Sequence, residues 1–303
     1  MGEETGMDRT GNLNLWPPRT VVYGTDFSKS AERAGEYASL LARQYEAELV
    51  VVHAFTLSQF AMEVEAETGT GSKSVQRKDL EGALASAARR FGAGVKRVCP
   101  VLVEGDPEER IPELAREKPP SIIVLGTRGR GRLGRSIIGS AADGILRSAD
   151  GPSLTVGPQA PELVEGVQPF KKVLYASDLS PAAALGAVYA AGIAEDFGAS
   201  LDALHVVDAS DMKDPERLAQ IRREFHSALE GAALRLAGDL VEPKEWIEEG
   251  TARTQILEHA RAHKVDLVVL SVQKSSHLWL RERVSTAFQI IAEAPCPVMT
   301  IMG

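Results

Sequence analysis

Gly126-Thr127-Arg128-Gly129, separated by nine residues from Gly139-Ser140, is the set of residues in this chain best suited to chemistry. It follows Ser121-Ile122-Ile123-Val124-Leu125, a short apolar run of the kind buried on both faces of a parallel sheet. A helical pattern runs from Gly139 to Arg147 beyond it. Glycine lets backbone N–H groups approach a phosphate, and a helix start supplies free donors and positive partial charge. Ser140 adds a hydroxyl, and the charged forks of Arg128 and Arg130 inside the loop suit phosphate oxygens, a solvated loop tip being their alternative role. Strand, glycine loop and helix in this order predict a nucleotide site.

Other constellations carry less. Gly129-Arg130-Gly131-Arg132-Leu133-Gly134 fits the dinucleotide pattern Gly-x-Gly-x-x-Gly, but three strand candidates precede it and the downstream acids Asp143 and Asp150 come too early. No Gly-Lys-Ser/Thr closes a glycine run, so a P-loop is set aside. His53 and His205 recur at matching strand ends without a second ligand nearby, which suits packing. His259 and His263 have the i, i+4 spacing of one helix face, yet Ala260-Arg261-Ala262 between them offers no Glu, and no metal is expected. No nucleophile elbow, Cys-His-Asn set or close carboxylate pair appears, so no catalytic residue is assigned.

These residues need a scaffold that positions them, and 303 residues suit two cores of about 150 each better than one. The apolar fraction of 44% and charged fraction of 25% are those of a globular protein. A net charge of −8 argues against nucleic acid or an anionic membrane as a general partner. Two cysteines, Cys99 and Cys296, fall in different halves, which excludes a disulfide framework and suits a reducing, cytoplasmic setting. No apolar run approaches a membrane span, and the polar N-terminus has no signal-like apolar stretch.

The chain repeats itself. Val21-Val22-Tyr23-Gly24-Thr25-Asp26-Phe27-Ser28 returns as Val173-Leu174-Tyr175-Ala176-Ser177-Asp178-Leu179-Ser180, an offset of 152 (21 to 173). The offset becomes 145 past the middle segment, where Gly105 meets Gly250 and Ser121 to Val156 align without a gap with Asp266 to Ile301. Strand-like runs alternate with helical patterns in each repeat, which predicts parallel sheets flanked by helices. In repeat one the strands are expected near 20–24, 47–54, 95–103, 121–126 and 152–157, and Ala31, Ala34, Ala38 and Leu41 form the sheet-facing stripe of the first helix. Asp106-Pro107 and Asp214-Pro215 each mark a capped helix start. The expected organisation is a loose tail over 1–18, a domain over 19–158, a Pro- and Glu-rich linker over 159–169, and a second domain over 170–303. The segment 55–78, with Gly69-Thr70-Gly71-Ser72, is read as a surface segment able to cover the site.

Taken together, Thr25-Asp26-Phe27-Ser28 ending the first strand, His53-Ala54 ending the second, and the loop from Gly126 to Ser140 resemble the universal stress protein family in its tandem form, over nearly everything from Thr20 to Met302. The specific mark is Gly-x-x-Gly-x9-Gly-Ser/Thr, the signature of the family's ATP-binding members. The resemblance implies two Rossmann-like α/β domains, each a five-stranded parallel sheet of order 3-2-1-4-5, pairing through their last strands as an intramolecular pseudo-dimer. That order puts the ends of strands one and four on one crevice, where open α/β sheets bind ligands. It implies ATP, with Mg²⁺, as ligand: Ala54 at the adenine edge, Thr25-Asp26 near the ribose or adenine side, and Gly126, Gly129, Gly139 and Ser140 at ribose and phosphates. Asp26 also suits an N-cap or Asx turn. Repeat two departs from the signature, with Ser271 for Gly126, Lys274 for Gly129 and Val284 for Gly139, and is expected to be a structural partner that binds ATP weakly or not at all. The functional expectation is a nucleotide-responsive regulatory module with a protein partner and further homo-oligomers open to it. A slow ATPase and a nucleotide-free scaffold are the alternatives.

Overall fold

The computed structural model describes residues 16–56, 73–127, 138–180, 183–236, 241–272 and 280–302. They divide into two compact units, Pro18–Pro158 and Gln159–Gly303, the second including the described N-terminal residues Trp16 and Pro17.

The first unit runs β1 (Thr20–Gly24), α1 (Lys29–Gln44), β2 (Glu48–Phe55), α2 (Lys73–Phe91), β3 (Arg97–Glu104), α3 (Pro107–Arg116), β4 (Ser121–Gly126), α4 (Ser140–Ser148) and β5 (Pro152–Val156). Its strands lie in the order β3-β2-β1-β4-β5, all pairs parallel. The register sets Gly24 beside both Val52 and Leu125. The second unit runs β6 (Lys172–Ser177), α5 (Ala183–Phe197), β7 (Ser200–Val207), α6 (Ala209–Lys213), α7 (Pro215–Leu236), β8 (Lys244–Glu249), α8 (Ala252–Ala262), β9 (Leu267–Val272), α9 (Leu280–Glu293) and β10 (Val298–Met302). Its order, β8-β7-β6-β9-β10, is the same topology, again parallel. Both sheets have the expected 3-2-1-4-5 order.

Burial on both faces explains the unbroken apolar strands. Val22, Val50, Val52, Ile123 and Leu125 pack with Ile111 of α3 and Ile145 of α4 on one face. On the other, Tyr23 meets Phe91 edge-on, and its hydroxyl donates to the Ala31 carbonyl at 2.7 Å. Tyr175 repeats that bond to Ala183 at 2.6 Å. Desolvation holds both phenol groups well above the usual tyrosine range. The stripe Ala31, Ala34, Ala38 and Leu41 is buried as its spacing predicts.

One detail of the helix starts differs from expectation. Asp214 caps α7, accepting from Glu216 N and Arg217 N, whereas Asp106 stands at the N-cap of α3 without a side-chain bond. There the Asp106 carbonyl takes both the Glu109 and Arg110 amides. Trp16, assigned to the tail by sequence, packs on α5: its Nε1 donates to Asp196 at 2.8 Å and its ring meets Tyr189 edge-on. Gly192 makes the room, since a Cβ there would lie 2.7 Å from the indole.

Candidate functional site

The turn leaving β1 is built by its own side chains. Thr25 N continues the strand by donating to the Val52 carbonyl, Thr25 Oγ1 accepts from Phe27 N at 3.0 Å, and Asp26 Oδ1 accepts from Ser28 N at 3.0 Å. Phe27 takes the left-handed conformation at φ 61°, and Ser28 caps α1 by accepting from Ala31 N. His53 Nδ1 donates to the Thr25 carbonyl at 2.7 Å while its ring lies 4.6 Å from that of Phe27. This lock ties the end of β2, and so Ala54, to the end of β1. Repeat two copies it: Ser177 Oγ accepts from Leu179 N, Asp178 Oδ1 from Ser180 N, Leu179 has φ 58°, and His205 Nδ1 donates to the Ser177 carbonyl. The Asx-turn role of Asp26 is therefore present in both halves, and the histidines belong to strand-end packing.

The end of β4 lies beside this turn, because Gly24 pairs with Leu125 and the next positions are Thr25 and Gly126. Thr127 N donates to the Val156 carbonyl, and Gly139 N donates to the Thr127 carbonyl at 2.9 Å, which draws the start of α4 to the strand end. Gly139 is the N-cap of α4, with extended backbone and no side-chain cap. The first intrahelical bond runs from Asp143 N to the Gly139 carbonyl, so the amides of Ser140, Ala141 and Ala142 come before it as donors without intrahelical acceptors. Thr127, which the sequence reading passed over, is buried at the same junction with an Oγ1 that has no hydrogen-bond partner. The structure thus gathers Thr25, Asp26, Ala54, Gly126, Gly139 and Ser140 at the carboxyl edge of β2, β1 and β4. Arg128, Gly129 and Arg130 lie outside the described residues, as does most of the segment 55–78.

Gly126 has a reason of its own. A Cβ there would lie 2.7 Å from the carbonyl carbon and oxygen of Ser30, so glycine lets the strand end approach the first turn of α1. Its counterpart Ser271 faces α5, where a Cβ on Gly186 would overlap Ser271 Oγ. Gly186 corresponds to Ala34, whereas the helix residue that Gly126 approaches is Ser30, so each half makes its own strand–helix contact. The helix start is the larger difference. Ile138 and Gly139 precede α4, but their counterparts Arg283 and Val284 lie inside α9, which begins at Leu280. Leu280, five residues before Ser285, the counterpart of Ser140, is already helical.

The sequence model of the universal stress protein family matches residues 18–157 and again 169–301. The chain belongs to the universal stress protein family. A universal stress protein of Thermus aquaticus is 31% identical over 139 residues, 46% of this chain and 98% of that protein. One from Methanocaldococcus jannaschii is 27% identical over 139 residues, 46% of this chain and 81% of its own. Each corresponds to about one repeat. Among solved structures, a universal stress protein from Archaeoglobus fulgidus superposes with a TM-score of 0.70 at 20% identity, covering 93% of this chain and 97% of that one. A putative universal stress protein from Pseudomonas aeruginosa gives 0.61 at 16%, covering 96% and 95%. At these identities the structures establish that this universal stress protein shares their two-domain fold. No helix among its described residues is long and apolar enough to cross a membrane.

Proposed function

We propose that repeat one binds ATP, with Mg²⁺, at the carboxyl edge of β2, β1 and β4, and that this universal stress protein acts as a nucleotide-responsive regulatory module read by a protein partner. The observation that carries the reading is the uncapped start of α4, tied by Gly139 N to the end of β4 beside Thr25-Asp26. Three adjacent amides and the helix dipole favour an anion there, at the switch point of an open parallel sheet. Ala54 and Thr25-Asp26 border the adenosine side; Gly126, Gly129, Gly139 and Ser140 border the ribose and phosphates, with Arg128 and Arg130 as charged partners. Occupancy would order the loop and so alter the surface presented to the partner.

Isothermal titration of nucleotide-stripped protein with Mg-ATP tests this. One site per chain, lost in Gly139→Val and retained in Val284→Gly, is the expected result; two sites, or binding indifferent to Gly139→Val, would overturn it. ATP recovered intact after long incubation agrees with a sensor, and stoichiometric ADP would make the same site enzymatic.

A further inference from the structure

Repeat two carries a buried polar cluster that neither the nucleotide reading nor the shared fold requires. His259 in the last turn of α8 has no exposed side-chain surface; its Nδ1 donates to Glu248 Oε1 of β8 at 3.0 Å, and its Nε2 faces Asp202 Oδ2 of β7 at 3.2 Å. Asp202 is itself buried, with Lys172 Nζ 3.7 Å from the same oxygen. His263, the C-cap of α8, stacks on His259 with ring centroids 4.2 Å apart, and Trp246 closes the side at 5.0 and 4.8 Å from the two imidazoles. The ligand atoms of Asp202, His259 and His263 lie within 4.8 Å of one another.

In repeat one the same positions are Val50 for Asp202, Val101 for Trp246, Val103 for Glu248 and Leu114 for His259, all within or against its apolar core. Lys118 stands for His263. The fold closes over aliphatic side chains at this place, so carboxylates and imidazoles answer some other demand.

We infer that Asp202, His259 and His263 form a binding site for a single divalent transition ion of the Zn²⁺ class. Ligands about 2.0–2.2 Å from a tetrahedral ion are about 3.3–3.5 Å apart, close to the 3.2 Å between His259 Nε2 and Asp202 Oδ2. Glu248 holds Nδ1–H and so aims Nε2 at the ion, the carboxylate–histidine–metal arrangement that orients ligands in such sites. Two imidazoles and one carboxylate suit Zn²⁺ over Mg²⁺ or Ca²⁺, with water in the fourth position. The half-buried His263 provides the way in and closes the 4.8 Å gap by turning about its side-chain bonds. Nε2 coordinates through its lone pair with Nδ1–H kept on Glu248, and the ion displaces Lys172 from Asp202. It would clamp the end of α8 onto β7 and β8.

The test is titration of the full chain, free of any affinity tag and of bound metal, with Zn²⁺ and separately with Co²⁺ read by its visible ligand-field bands. One ion per chain is expected, with tetrahedral Co²⁺ bands displaced by Zn²⁺. His263→Ala and Asp202→Asn should each weaken binding at least about tenfold, Glu248→Gln roughly tenfold, and Lys172→Met should tighten it. Absent Co²⁺ bands, or bands unchanged in His263→Ala, would show a buried carboxylate–imidazole network and overturn the inference. His263 lies at the helix end, so that variant keeps the test open if Asp202→Asn fails to fold.

Discussion

The two repeats share one backbone plan, and two of the differences between their described residues bear on what each can bind. At the carboxyl edge both build the same strand-to-helix turn, from Thr25-Asp26-Phe27-Ser28 and from Ser177-Asp178-Leu179-Ser180. Repeat one then begins its helix at an uncapped glycine, whereas in repeat two the corresponding position, Val284, lies inside a helix. Beneath the helix after strand three, repeat one is aliphatic and repeat two places His259 between two carboxylates. A turn found in both halves is scaffold. What separates them is where an anion or a cation can be held: the helix start of repeat one, and the polar cluster of repeat two.

The largest expected effect breaks the second contrast. Asp202→Ala leaves His259 and Lys172 without their buried partner and should cost about 3–5 kcal/mol in urea unfolding of the metal-free protein. The triple change Asp202→Val, Glu248→Val and His259→Leu, which copies repeat one, should restore most of that loss. If the triple variant is no more stable than Asp202→Ala, the two cores are not interchangeable.

Gly186→Ala should cost roughly 1–3 kcal/mol by overpacking against Ser271, and Ser271→Gly in the same chain should recover most of it. Additive losses in that double-mutant cycle would refute the close contact between Gly186 and Ser271. The thiols sharpen the contrast further. Burial, with a smaller contribution from Asp266, pushes the Cys296 thiol up to about 12, whereas Cys99 is half-buried on β3. The folded state keeps the Cys296 proton where the unfolded chain loses it. Its contribution is therefore complete below the unfolded thiol's ~8.5 and is lost as pH rises from there towards 12, at about 1.4 kcal/mol per pH unit. Comparing unfolding of the protein and of Cys296→Ala between pH 8 and 10 should show the steeper decline only with the cysteine present. The smallest effects should be equal: Tyr23→Phe and Tyr175→Phe each remove one bond to the first turn of a helix and should each cost about 0.5–1.5 kcal/mol.

Strands and helix stripes were legible because burial on both sheet faces imposes continuous apolar runs, and the duplication aligned one half against the other, whereas the strand order came from the resemblance to the universal stress protein family. The ends of β2, β1 and β4 could be brought together on that basis. Two things could not. The reason for Gly126 lies in Ser30, a half-buried helix residue whose approach to the strand end appears only in three dimensions. The His259 cluster draws on β7, β8 and α8, and its carboxylates sit in runs such as Leu201-Asp202-Ala203 and Trp246-Ile247-Glu248 that read as ordinary strand alternation. Comparing the two repeats position by position, Val50 with Asp202 and Leu114 with His259, is the sequence signal that exposes it.

Hydrogen exchange with and without Mg-ATP tests the asymmetry of nucleotide binding most directly. Protection should appear at the amides of 126–127 and 139–142 in repeat one and be absent at 271–272 and 284–287 in repeat two. Equal protection of both sets, or none in repeat one, would contradict it.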